Sequence, residues 1–240
     1  MKKILALLVV MAAALPLSVQ AQDFGWSNGF WSTTLPATTG TDTLGLALHD
    51  RLQSGAEDPV ASPSFADTDL HYTPSHERRM ANYANFVAKS RQANPQSADT
   101  LATVFASQDV VEAMAPFLDA VGLRIDNVAD AYAAWWINAW MVSRGLDDDV
   151  SRDMAIAVRD QAADAIASSG ILRGASEAAK QEMADNLLVQ AALLAAAMEQ
   201  SKGDPAQLRQ IAAAASRGAR GMDLDLAAMD LTEQGFVPSP

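Results

Sequence analysis

The chain of 240 residues contains no cysteine. This absence excludes disulfide bonds, thiolate nucleophiles, cysteine metal ligands and lipid attachment through a cysteine. A folded domain must therefore be held together by its hydrophobic core alone. The chain is long enough to bury a sizeable core.

Basic residues are few, because 17 Lys and Arg stand against 29 Asp and Glu, for a formal net charge of -12. An acidic surface repels phosphate backbones and anionic lipid headgroups. We therefore expect no nucleic-acid partner and no binding to a membrane surface. Solubility is the simplest explanation of the charge.

Catalytic signatures are also missing. The sequence has no GxSxG nucleophile elbow, no HExxH zinc motif, no phosphate-binding glycine loop and no dinucleotide fingerprint. Acidic residues are so numerous that a carboxylate pair for glycoside cleavage could be chosen almost anywhere, so such a pair carries no information. The sequence predicts no cofactor and leans against an enzyme.

Metal ligands in a productive spacing are lacking as well. His71 and His76, with Glu77, form the one histidine grouping, but they straddle the start of a predicted helix and do not share one helical face. The aspartates at 147–149 and at 223 and 225 lack the register of a calcium loop. We predict no metal site and interpret these acids as solvated charges.

The first residues are predicted to form a targeting signal. Lys2 and Lys3 precede an apolar stretch over residues 4–17, and Ala21 ends a small-x-small pattern. The apolar stretch is short for a membrane span, which needs about 20 residues. Residues 1–21 are predicted to be a signal peptide that is cleaved after Ala21. The mature chain would then begin at Gln22 and lie in the periplasm or outside the cell.

Residues 22–70 differ from the rest of the chain. They are rich in Thr, Ser, Gly, Pro and Asp and show neither a helical nor a strand period. We interpret them as a lead of low order before a helical domain at 71–237. The lead begins with DFGWSNGFW, residues 23–31, which we call the aromatic arm; its rings are Phe24, Trp26, Phe30 and Trp31.

The remainder of the chain carries helix-start signals at intervals typical of a helical bundle. Helix starts are predicted where a capping residue stands before a proline or an apolar periodic run. These positions are Thr73, Asn94, Asp126, Ser151, Ser176 and Asp204. Met80, Tyr83, Ala84 and Val87 share one face of the first helix, and Pro116 should kink or split the third. No segment shows the alternation of a strand. The prediction is an all-α fold, a single bundle of about six to eight helices.

Three of the five tryptophans lie in the segment DAYAAWWINAW, residues 130–140. On a helix, Tyr132, Trp135, Trp136 and Trp140 form one aromatic stripe, and the opposite side is apolar too. A helix that is apolar nearly all round is a buried central helix. The alternative is a pocket floor on which sugars or another flat ligand stack.

Arg217 and Arg220 form a small basic island on this acidic chain, beside flexible glycines. Bidentate arginines can hold a carboxylate or a phosphate group. Basic residues also stabilise the C-terminal end of a helix. We favour the helix-terminal role and keep the pair as candidate ligand contacts.

Several blocks of the sequence together resemble a known family. They are YTPSHERRMANYANFVAKSR, DNVADAYAAWWINAW, KQEMADNLLVQAALLAAAMEQSKGDP and RGARGMDLDLAAMDLTEQGF. They are similar, over about residues 70–237, to exported Gram-negative bacterial proteins classed only as a domain of unknown function. The resemblance leaves out residues 22–70. It implies a shared exported helical domain and brings no activity, cofactor or catalytic residue.

These observations favour an exported, non-enzymatic protein that acts by protein–protein interaction. The aromatic arm would dock on a protein partner, with Trp26, Phe30 and Trp31 as contact residues, or fold back onto a groove of its own bundle; a partner is favoured, because nothing in the lead directs a return. One alternative function is a small-ligand or glycan carrier with a pocket beside Trp135, Trp136 and Trp140. The other is a cell-wall glycan hydrolase. The sequence leaves the oligomeric state open.

Overall fold

A computed structural model describes residues 70–240, so the predicted signal peptide and the aromatic arm lie outside the described residues. Within this range the chain forms seven α-helices and one two-stranded sheet. The helices are α1 His76–Ala93, α2 Pro95–Ser107, α3 Val110–Ala120, α4 Val128–Arg144, α5 Arg152–Ser169, α6 Glu177–Gln200 and α7 Pro205–Arg220. The predicted all-α bundle of six to eight helices is confirmed.

Four predicted helix starts coincide with observed N-caps. Asn94, Ser151, Ser176 and Asp204 each accept hydrogen bonds from backbone N–H groups in the first turn of the helix that follows. Their side-chain oxygens satisfy donors that have no partner within the helix. The local sequence therefore determines where α2, α5, α6 and α7 begin.

Two predicted starts are wrong. The first helix is capped by Ser75 and not by Thr73, whose backbone N–H donates to Glu177 on α6. Asn127, and not Asp126, caps α4, because the carboxylate of Asp126 is bound by Arg124 at 2.8 and 2.6 Å. Thr73 is thus bound by a distant helix, whereas Asp126 is bound by its near neighbour Arg124.

Pro116 lies inside α3, and the helix continues through it. The expected split of the third helix therefore does not occur. A proline removes one backbone donor from a helix. The rest of α3 is anchored by Val111, Met114 and Leu118, which are buried in the core.

The central helix is α4, which packs against α5, α6 and α7. Trp135 and Trp136 are 1% and 0% exposed, and Trp140 is 9% exposed. The interpretation of these tryptophans as core residues is confirmed. The N-terminal ends of α4 and α6 meet the same segment, because Val128 N donates to Leu70 O and Lys180 Nζ donates to His71 O.

A β-hairpin closes the chain, although no strand was predicted. Strand β1, Met229–Thr232, pairs antiparallel with β2, Gly235–Pro238, and Leu231 lies opposite Phe236. Each strand has four residues, too few to show an alternating pattern. Helix side chains hold the hairpin: Gln161 bonds both backbone groups of Phe236.

Candidate functional site

An apolar groove runs between α1 and α2. It encloses about 360 Å³. Its lining residues are Met80, Tyr83, Ala84 and Val87 from α1 and Ala102, Phe105 and Ala106 from α2. The four residues from α1 are the ones whose spacing predicts a shared apolar face. The sequence thus predicted the face, whereas the structure shows that it borders an open groove.

The floor of the groove is a pair of stacked rings. Tyr83 and Phe105 have ring centroids 4.4 Å apart and planes inclined by 15°. Phe86 meets Phe105 edge-on at 6.2 Å, which fixes that ring from behind. The two rings cover each other and are buried, so the surface that the groove offers to an incoming side chain comes mainly from its aliphatic lining residues.

The hydroxyl of Tyr83 connects the groove to the interior. It donates to Asp109 Oδ1 at 2.8 Å and accepts from Val111 N at 2.9 Å. Burial raises the pKa of Tyr83 well above its ordinary value, and the nearby charge of Asp109 adds to the rise. The phenol therefore stays neutral, and its two hydrogen bonds hold the ring in place.

Behind the groove lies a buried ionic network centred on Arg79, which is 2% exposed. Its Nη1 donates to Asp109 at 3.0 Å and to Glu112 at 2.9 Å, and its Nε donates to Asp185 at 3.3 Å. Asn82 donates to the other oxygen of Asp185 at 2.8 Å. The network joins α1, α3 and α6 at one point.

The two aspartates of this network have pKa values that move in opposite directions. Burial raises the pKa of Asp185, and the hydrogen bond from Asn82 and the charge of Arg79 only partly oppose the rise. Burial acts in the same direction on Asp109. There it is outweighed by hydrogen bonds from Glu112 N, Tyr83 and Arg79, so the pKa of Asp109 falls below its ordinary value.

Perturbed carboxyl groups often mark active sites, but structural ion pairs perturb pKa values too. Here Asp185 is 1% exposed and Arg79 is 2% exposed, so a substrate in solvent would not reach them. The arrangement is that of a structural clamp behind the groove. Sequence reasoning missed it, because its members lie as far apart as residues 79 and 185.

The tryptophans of α4 are occupied by internal contacts. Trp136 stacks on Phe236 at 4.2 Å between ring centroids, and Trp140 Nε1 donates to Met229 O at 2.8 Å. Rings that are almost fully buried have no free face on which a sugar could stack. The tryptophans of α4 therefore do not form the open pocket floor that the sequence offered as the alternative.

The other candidate residues lie apart from the groove. Trp26, Phe30 and Trp31 fall outside the described residues. Arg217 and Arg220 are exposed in the last turn of α7, where a positive charge complements the helix dipole.

His71 and His76 do not assemble into a metal site. Nδ1 of His76 lies 3.5 Å from Asp109, and Nε2 of His71 lies 3.2 Å from the amide nitrogen of Asn127. Between residues 70 and 240, no three His, Cys, Asp or Glu side chains gather closely enough to hold a metal ion.

The helices α1 and α2 contain more basic than acidic residues, unlike the rest of the described chain. Residues 76–107 carry four basic and two acidic side chains, whereas residues 108–240 carry ten basic and twenty acidic ones. The basic side chains are Arg78, Arg79, Lys89 and Arg91. Two of these four are already paired with carboxylates: buried Arg79 with Asp109, Glu112 and Asp185, and Arg91 with Asp99.

No helix in the described part of the chain has the length and apolar character needed to cross a membrane.

Comparison with known proteins assigns the chain to a family without giving it an activity. No curated protein and no solved structure matches the chain. A family model described as a family of unknown function, DUF6683, matches residues 2–238. This match includes residues 22–70, which the resemblance drawn from the sequence left out. The chain belongs to this family of unknown function, DUF6683.

Proposed function

We propose that the chain is an exported, non-enzymatic helical protein of a Gram-negative bacterium that acts by protein–protein interaction. Its binding element is the groove between α1 and α2, which receives an apolar segment of a partner protein. The observation that carries this proposal is the open groove with the stacked floor of Tyr83 and Phe105. Export rests on the signal peptide that the sequence predicts over residues 1–21.

The size and chemistry of the groove support a peptide ligand. A volume of about 360 Å³ is near the lower end of ligand pockets, which span roughly 300–1,000 Å³, so it suits one or two large side chains. Hydrophobic grooves between helices bind apolar faces of peptides and helices. Exposed apolar surface is a liability unless a partner covers it.

The aromatic arm is the second binding element of the proposal. Trp26 and Trp31 would anchor it on the partner, with Phe30 beside them, because large rigid rings dominate interface energies. The partner would thus meet two surfaces, the groove and the arm. Nothing in this arrangement needs a cofactor or a catalytic group.

A small-ligand carrier is the second candidate function, and the groove favours it over a glycan binder. Its walls are aliphatic and aromatic and supply few polar groups, whereas sugars need many hydrogen bonds. An apolar small molecule would fit the same volume. The crosslinking experiment below separates the two candidates.

The test places a photoreactive benzoylphenylalanine at position 84 or 106 of the full chain in the bacterial envelope. Both alanines line the groove and are exposed, and Ala81 on the exposed side of α1 is the matched control position. We expect positions 84 and 106 to crosslink to one defined segment of another protein, identified by mass spectrometry. Position 81 should not crosslink to that segment.

Two outcomes contradict the proposal. Adducts with the same proteins from positions 81, 84 and 106 would show that the groove is not selective. Adducts confined to a small molecule would replace the protein partner by the carrier function. Export is tested separately by sequencing the mature N-terminus, which should begin at Gln22 in the periplasmic or extracellular fraction.

A further inference from the structure

We propose that Met80, which lines the groove between α1 and α2, is a site of reversible oxidation whose sulfoxide weakens the binding of an apolar partner segment. The inference rests on the proposed function, because it states how binding at the same groove would be regulated. Three observations carry it: the sulfur content of the chain, the burial of the other methionines and the chemistry of the groove lining.

Methionine is the only sulfur-containing residue of this protein. The chain has ten methionines and no cysteine. Oxidants such as hydrogen peroxide react readily with cysteine thiolates and also convert methionine to its sulfoxide. With no thiolate to react first, the thioethers are the side chains that a mild oxidant modifies reversibly. Met1 and Met11 precede the predicted cleavage site, and the other eight lie in the described part of the chain.

The fold protects six of these eight sulfur atoms. Each of the six side chains is at most 7% exposed: Met114, Met141, Met183, Met198, Met222 and Met229. Within residues 70–240 only Met80 and Met154 are partly exposed. An oxidant dissolved in water reaches exposed sulfur atoms before buried ones. Two methionines are therefore the candidates for oxidation of the folded protein.

Of these two methionines, Met80 lines the groove. It lies on α1, whereas Met154 lies in the first turn of α5 and does not line the groove. Methionine is a flexible and polarisable side chain that adapts to different partners at binding surfaces. The two residues thus form a matched pair, because both are partly exposed and only one would contact the proposed partner.

The groove offers no ready partner for a sulfoxide oxygen. Apart from Tyr83, its other lining side chains are aliphatic or aromatic: Ala84, Val87, Ala102, Phe105 and Ala106. The hydroxyl of Tyr83 already donates to Asp109 Oδ1 at 2.8 Å and accepts from Val111 N at 2.9 Å. An apolar segment that docks beside oxidised Met80 would therefore strip water from a polar oxygen without replacing the lost hydrogen bond. Such a loss weakens binding by about tenfold or more.

The reaction needs only hydrogen peroxide as co-reactant. A lone pair of Met80 Sδ attacks one peroxide oxygen, the O–O bond breaks, and the leaving hydroxide takes the remaining proton to form water. The sulfur is oxidised by two electrons and the peroxide is reduced. Methionine sulfoxide reductase reverses the change, with a dithiol as reductant and water as the product. An exported chain would meet such oxidants outside the reducing cytoplasm.

The first experiment maps oxidation on the purified chain that starts at Gln22. The protein is treated with hydrogen peroxide and each methionine-containing peptide is quantified by mass spectrometry over time. We expect Met80 and Met154 to be oxidised at least about tenfold faster than the six buried methionines, and sulfoxide reductase to restore both. Circular dichroism verifies that the protein stays folded. Oxidation of Met80 as slow as that of the buried methionines would overturn the proposal.

The second experiment measures binding in the bacterial envelope, with benzoylphenylalanine at position 106 on the opposite wall of the groove. Hydrogen peroxide added before irradiation should lower the yield of the partner adduct at least about fivefold in the unsubstituted chain. Met80→Leu keeps an apolar side chain of similar volume without sulfur, so its adduct should resist peroxide. Met154→Leu, the matched control, should lose the adduct as the unsubstituted chain does.

A third variant tests the polar group without any oxidant. Met80→Gln places a permanent polar oxygen in the groove and should lower the adduct yield in untreated cells, whereas Met154→Gln should not. Full crosslinking of Met80→Gln, or equal loss of adduct from the unsubstituted chain and Met80→Leu on peroxide treatment, would overturn regulation through Met80 and leave the proposed function standing. Absence of a partner adduct from every chain before peroxide is added would overturn the proposed function, and this inference with it.

Discussion

Trp136 and Phe236 stack with ring centroids 4.2 Å apart and planes inclined by 25°, although one hundred positions separate them in the chain. Trp136 is 0% exposed in the middle of α4, and Phe236 lies in the last strand. The same strand is held by Trp140, whose ring meets Phe236 edge-on at 6.0 Å. The central helix therefore holds the C-terminal β-hairpin through its aromatic side chains, while Gln161 of α5 binds the backbone of the same strand.

The first prediction concerns this stack. Trp136→Ala should reduce the free energy of unfolding by about 3–5 kcal/mol, because it removes a fully buried aromatic side chain and leaves a cavity. Urea unfolding followed by circular dichroism measures the change. Phe117→Ala, at a partly exposed position on α3, is the control and should cost less. A loss below about 1 kcal/mol for Trp136→Ala would contradict its place in the core.

The second prediction concerns Gln161, which donates to Phe236 O at 2.8 Å and accepts from Phe236 N at 2.9 Å. Gln161→Leu should destabilise the protein by about 1–3 kcal/mol, because it leaves backbone groups of the hairpin without partners. Chemical denaturation measures the loss, with Gln210→Leu at an exposed position of α7 as control. Equal effects of the two substitutions would show that the hairpin does not depend on Gln161.

The third prediction concerns the ionic network. Asp185→Ala should reduce the free energy of unfolding by about 1–3 kcal/mol, because it leaves the buried donors of Arg79 Nε and Asn82 without an acceptor, while Asp109 and Glu112 still balance the charge of Arg79. Replacing both residues, as Arg79→Met with Asp185→Leu, should cost less than the two single changes added together. A double-mutant cycle measures the difference. Strict additivity would mean that the two charges do not depend on each other.

The fourth prediction concerns pH and Asp109, whose pKa is lower in the folded state than in the unfolded chain. Such a group stabilises the fold above its unfolded pKa of about 3.9, and this contribution is lost as the pH falls through the lower folded value. Asp109→Asn should therefore flatten the fall in melting temperature below about pH 4. Asp148→Asn, at an exposed position, is the control. An unchanged acid limb in Asp109→Asn would contradict the prediction.

The fifth prediction concerns the domain boundary. A chain that starts at Thr68 should keep the helical circular-dichroism signal per residue of the bundle and melt cooperatively within a few degrees of the chain that starts at Gln22. A chain that starts at Tyr72 should melt lower, because it lacks Leu70, which is 1% exposed and accepts a hydrogen bond from Val128 N at 3.0 Å. Equal melting temperatures for the two truncations would show that Leu70 contributes nothing. Loss of helicity in the chain from Thr68 would show that the lead is part of the core.

Local sequence determined most of the helical framework. A side-chain oxygen at an N-cap acts on N–H groups two or three residues away, so Asn94, Ser151, Ser176 and Asp204 could be identified without a fold. The burial of Trp136 was equally predictable, because its helix is apolar on all sides. These features depend on residues within one or two helical turns.

Only the tertiary structure decided which apolar face stays open and which charges are buried. Met80, Tyr83 and Val87 share a face by their spacing, but no local rule says that a groove would remain beside it. Arg79 resembles a surface arginine in the sequence, and its burial depends on Asp185, 106 positions away. The C-terminal β-hairpin likewise depends on Gln161, which lies 75 positions from Phe236 in the chain. Contacts of such separation depend on how the helices pack. The local sequence pattern that predicts each helix does not indicate which distant residues will pack against it.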